Sequence, residues 1–115
     1  VDVSGWLNKL LLVIVACVAA PIVEETMFRG VLYRHLRGMT AGWRTALSAI
    51  ASGTVAGFIF AVIHPQGFVA VPALMALAYG FTLLREWRGT IIPGIVAHSL
   101  NNAIAMTALF LIFSD

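Results

Sequence analysis

Ala46-Leu47-Ser48-Ala49-Ile50-Ala51-Ser52-Gly53-Thr54-Val55-Ala56-Gly57-Phe58-Ile59-Phe60-Ala61-Val62-Ile63 runs without a single charge. A helix needs about 20 mostly apolar residues to cross the hydrocarbon core of a bilayer, and this run comes close to that length. Three further apolar stretches accompany it, at residues 5–23, 68–84 and 91–113. None alternates with a period of two, which argues against a membrane β-barrel. Backbone polar groups cannot face lipid unpaired, so helices remain. The expectation is an all-α, multi-pass membrane bundle of about four spanning helices.

The whole composition agrees. Of 115 residues, 61% are apolar and only 10% charged, against roughly 25% charged in an ordinary soluble domain. Mean hydropathy is +0.98. Such a chain cannot build the polar surface of a soluble domain, nor the basic stripe of a nucleic-acid-binding module. The connections are short: 38–43, the Pro65-Gln66-Gly67 turn, and 85–89. Residues 1–115 therefore read as one membrane domain. Its first residue is Val, which suggests a piece of a longer chain. Arg34, Arg37 and Arg44 flank the first connection and Arg85 and Arg88 the third. The positive-inside rule places both in the cytoplasm, with the His64 turn on the other side of a plasma or inner membrane.

Polar residues inside such stretches carry the functional information. An ionisable group at the bilayer centre costs roughly 2.5–3.5 kcal/mol on insertion scales. Glu25 and Arg29 stand at i and i+4 with the acid first, the favourable order for a helical ion pair. Glu24 lies about 100° around the helix from Glu25 and has no partner on its own helix. A carboxylate without a partner is the one able to take a proton from water, so Glu24 is the better base and Glu25 the better support. Both could instead end a helix as a solvated cluster at the membrane surface. Phe60 and His64 share a face, as do His98 and Asn102. The second pair could hold an oxyanion or a metal, or act as interhelical glue. If these groups converge on one interior cavity, three costly exposures are removed together and a hydrolytic site results.

Other chemistries lack their residues. There is no HExxH or GxSxG pattern, and Asp occurs only at positions 2 and 115, which leaves no aspartyl dyad. Cys17 is the single cysteine and reads as a small core residue. Gly53 and Gly57 form a GxxxG, a signal for close helix approach. Tryptophans and tyrosines read as interfacial anchors or core.

Three motifs in order, Glu24-Glu25-x-x-x-Arg29, Phe60-x-x-x-His64 and His98-x-x-x-Asn102, resemble those of the CPBP intramembrane proteases. This is the CAAX-protease and bacteriocin-processing (Abi) family, which includes type II CAAX prenyl endopeptidases. Ala20-Pro21, Phe28-Arg29-Gly30 and the run from Ala97 to Asn102 extend the likeness over roughly residues 15–110. The resemblance implies an endopeptidase acting on a membrane protein or prenyl-peptide. Glu24 and His64 would activate water, His98 and Asn102 would stabilise the oxyanion, and Glu25 and Arg29 would support them. It also implies further helices outside this piece. A zinc site of Glu24, His64 and His98 is an alternative. Asn102 is a poor zinc ligand, which favours a reaction without a metal. Two non-enzymatic readings also stand: a membrane scaffold or bacteriocin-immunity protein, and an ion or proton pathway.

A straight-helix count leaves one difficulty. His64 lies about 30 Å along its helix from Arg44, whereas His98 lies about 10 Å beyond Ile91. A shared site requires that residues 44–52 lie in the membrane interface or that their helix tilts strongly.

Overall fold

The computed structural model describes residues 5–113, so Asp2 and Asp115 lie outside the described residues. These form an all-helical bundle with four helices long and apolar enough to span a membrane. They are α1 (Trp6–Met39), α2 (Thr45–Val62), α3 (Val71–Arg88, entered through a 3₁₀ turn at Phe68–Ala70) and α4 (Ile92–Ile112). The chain is an integral membrane protein.

The first helix departs from the sequence expectation. The apolar stretch ends at Val23, yet the helix runs on through both glutamates to Met39. At 34 residues it is about 51 Å long, well beyond a hydrocarbon core of about 30 Å. Glu24 and Glu25 thus sit near its middle rather than at a solvated end. Continuation is favourable because Glu25 and Arg29 pair within the helix, and neighbouring helices add the Ala78 carbonyl for Arg29 and His98 for Glu25.

Two segments of α1 are wound more loosely, with i→i+5 hydrogen bonds, at Val15–Ala19 and Thr26–Leu32. The first runs directly into Pro21. Ala20 donates its N–H to the carbonyl of Val15. The next bond in that register would run from residue 21 to Ala16, but residue 21 is proline and has no N–H. The carbonyl of Ala16 is therefore left for another donor.

Helices α2 and α3 pack closely through the expected glycine stripe. A Cβ on Gly53 would meet Thr82 at 3.0 Å, and one on Gly57 would meet Ala78 at 3.2 Å. Helix α3 continues to Arg88 and ends on Gly89 at φ +69°, so the third connection is shorter than 85–89. That left-handed cap has little steric cost for glycine. Gly67, at φ +80°, serves the turn after α2. Trp6, Trp43 and Trp87 are exposed near helix ends, whereas Tyr33 is core.

The helices are staggered, an arrangement that the straight-helix count does not include. The side chain of Ile91 lies against Gly30, while Arg37 reaches Glu86 on α3 and Ser48 on α2. The start of α4 is therefore set back along α1 by seven residues, about 10 Å. In addition, the His64 ring folds back over Phe60, with centroids 4.2 Å apart. Together these bring His64 and His98 to one level.

Candidate active site

At the centre lies Arg29, fully buried with Glu25 beside it. Arg29 Nη1 donates to Glu25 Oε1 at 3.1 Å, and Nη2 to the carbonyl of Ala78 at 3.0 Å. The guanidinium also lies over Phe60 and Phe81, 5.0 and 5.3 Å from their ring centroids. The cation thus keeps an anion, an amide dipole and two aromatic faces in place of water. Gly94 leaves room for this arrangement: a Cβ there would stand 3.2 Å from Glu25 Oε2.

His98 couples this buried pair to the cavity. Its Nδ1 lies 2.9 Å from Glu25 Oε1 and its Nε2 3.2 Å from Glu24 Oε2. Both ring nitrogens face carboxylate oxygens. A neutral imidazole has one N–H, so the second contact needs one further proton. Phe81 stacks on the ring at 4.7 Å and 17°, fixing its plane. Glu24 presents its other oxygen, Oε1, to His64 Nε2 at 3.8 Å. His64 Nδ1 donates to the carbonyl of Phe60 at 2.5 Å. In the neutral ring this leaves Nε2 with its lone pair toward Glu24.

Glu24 and Glu25 differ in access. Glu24 retains 28% side-chain exposure and Glu25 none. Glu24, His64, His98, Asn101 and Asn102 line a cavity of about 400 Å³ whose remaining walls are largely apolar. Asn102 Nδ2 donates to the carbonyl of Ala16 at 2.8 Å, the acceptor that Pro21 leaves free. One amide hydrogen of Asn102 is thereby spent, and the second remains.

The structure brings Glu24, His64, His98 and Asn102 to one cavity and sets Glu25 and Arg29 behind it. Phe81 and Gln66 also line it and were not singled out in the sequence. Helix α3 carries no polar cluster at that level, and Gln66 reads as a turn residue. Cys17 is half-buried and is not among the lining residues.

The donor types of Glu24, His64 and His98 suit zinc. Glu24 meets the two imidazoles through different oxygens, 3.8 Å from His64 Nε2 and 3.2 Å from His98 Nε2.

The sequence model of the Rce1-like family, described as type II CAAX prenyl endopeptidase Rce1-like, matches residues 6–104. That stretch contains every residue of the cluster. The chain belongs to this family. Among relatives of this Rce1-like chain is the membrane-embedded CAAX protease MroQ of Staphylococcus aureus (strain USA300), 29% identical over 89 residues. The alignment covers 77% of this chain and 35% of that protein, so the chain spans about a third of the relative's length. No solved structure matches it.

Proposed function

We propose that this chain is the catalytic core of an intramembrane endopeptidase that cleaves membrane-associated peptides or proteins, with Glu24 as the general base. The observation that carries this reading is the half-open Glu24 carboxylate, held between His98 and His64 at a cavity wall. A gap of 3.8 Å between Glu24 Oε1 and His64 Nε2 is too long for a direct hydrogen bond and suits two acceptors sharing one water. Glu24 takes a proton from that water, and the hydroxide formed attacks the scissile carbonyl. The Nε2–H of His98, released once Glu24 has taken up its proton, and the free amide hydrogen of Asn102 receive the developing oxyanion. Glu25 and Arg29 act one layer behind, orienting His98. Collapse of the tetrahedral intermediate breaks the C–N bond, and Glu24 returns its proton to the leaving amine.

This mechanism uses no metal. Support comes from Asn102, a cavity-wall residue that is a poor zinc ligand but a good amide donor. The apolar walls suit a prenyl-peptide or an apolar protein segment. The arginine-flanked connections favour a cytoplasmic position in a plasma or inner membrane. Further helices of the full-length chain complete the bundle.

The test compares the full-length protein with its Glu24→Gln, His98→Ala and Asn102→Ala variants, reading both cleavage of a membrane substrate and thermal stability. The proposal requires cleavage to vanish in Glu24→Gln while the fold persists. If all three lower stability and none selectively affects cleavage, the cluster is packing glue and the scaffold reading takes over.

A further inference from the structure

At the opposite end of the bundle from His64, a second cavity of about 530 Å³ opens between α1, the α1–α2 connection and the end of α3. Its walls include Arg34, Arg37, Arg85, Glu86, Tyr33 and Trp43. The three arginines are not equivalent. Arg37 is spoken for: it pairs with Glu86 and donates to Ser48 Oγ at 2.6 Å. Tyr33 Oη donates to the same Glu86 carboxylate. That carboxylate is thus held by a guanidinium and a phenol. The side chains of Arg34 and Arg85 make no hydrogen bond or ion pair among the described residues. The Nε of Arg85 is buried without a partner, a costly state that an acceptor would relieve. With three cations and one anion, the cavity keeps a surplus of two positive charges.

Location narrows the ligand. The cavity lies where α1 and α3 reach their ends at Met39 and Arg88, beside Trp43. Tryptophan at such a position marks the headgroup level of a bilayer. Basic pockets between transmembrane helices take anionic lipid headgroups, and guanidinium forks match phosphate oxygens in pairs. We propose that this cavity binds the phosphate of an anionic phospholipid, with Arg34 and Arg85 as its direct donors and Arg37, locked by Glu86 and Ser48, as the fixed wall. The site is separate from the Glu24 cavity and does not depend on the protease reading.

The experiment uses the full-length protein in phosphatidylcholine bilayers containing a minority of phosphatidylglycerol, with retained lipids counted by native mass spectrometry. Phosphatidylglycerol is expected to be retained above its share of the bilayer. Removing one arginine is expected to weaken retention about fivefold, and Arg34→Gln with Arg85→Gln about 25-fold. Arg44→Gln removes the same charge outside the cavity and is expected to keep the lipid. The charge-preserving pair Arg34→Lys and Arg85→Lys guards against loss through misfolding and is expected to retain most of it. Equal loss in Arg44→Gln, or no enrichment in the unaltered protein, overturns the proposal in favour of diffuse charge attraction. Inorganic phosphate at about ten millimolar is expected to leave the lipid in place; full displacement would identify a site for free phosphate instead.

Discussion

Asn102 on α4 donates to the carbonyl of Ala16 on α1 at 2.8 Å, and that carbonyl is free because Pro21, five residues farther on, has no N–H to bond it. A proline in mid-helix normally weakens the helix. Here the loosely wound turn moves the orphaned acceptor one residue back, from i−4 to i−5, and Asn102 meets it.

Pro21→Ala returns an N–H donor to Ala16 and sets it in competition with Asn102. The helix gains a hydrogen bond while the cavity loses a fixed amide. Turnover is expected to fall about tenfold, the effect of ~1.4 kcal/mol at the transition state, with KM nearly unchanged. Thermal stability is expected to hold or rise. Steady-state kinetics and a melting curve on the same preparation check this. Unchanged turnover would show that the Ala16 contact does not position Asn102.

The two glutamates are expected to fail in different ways. Glu24→Gln keeps its shape and its partial exposure, so it is expected to fold while losing about 10²–10⁴ in rate. Arg29→Met strands the buried Glu25 carboxylate and is expected to cost about 3–5 kcal/mol of stability. Denaturation of purified full-length variants measures the second effect independently of any substrate.

Glycine substitutions test the packing. Gly53→Ala drives a Cβ to 3.0 Å from Thr82 and is expected to destabilise by about 1–3 kcal/mol through overpacking between α2 and α3. Gly94→Ala crowds Glu25 Oε2 at 3.2 Å and is expected to lower turnover as well, because Glu25 orients His98. Gly80→Ala, on α3 with nothing within 4 Å, is the control and is expected to be neutral or slightly stabilising. Melting temperatures of the three variants rank them.

Removing metal is expected to leave activity intact. Dialysis of the full-length protein against a strong chelator, followed by assay with and without added zinc, checks this. Loss on chelation with recovery on zinc addition would move Glu24, His64 and His98 to the zinc reading.

Much of this architecture was legible in the residues. The four spans follow from apolar run lengths, the Glu25–Arg29 pair from its i, i+4 spacing, and a close helix approach on α2, though not its partner, from Gly53 and Gly57. What stayed hidden depends on distant partners. The charges at residues 24, 25 and 29 look like a helix end until Ala78 and His98 supply their acceptor and donor from α3 and α4. The freed Ala16 carbonyl needs the looser helical register, which no side-chain pattern announces. The stacking of Phe81 on His98 needs the stagger of the bundle, set by contacts such as Ile91 against Gly30.

The most direct measurement is N-terminal profiling of the membrane proteome in cells that carry the full-length protein or its Glu24→Gln variant at matched levels. The account predicts new termini within or beside membrane segments that appear with the unaltered protein and are absent with the variant. Identical sets of termini, with both proteins folded and equally abundant, would contradict it.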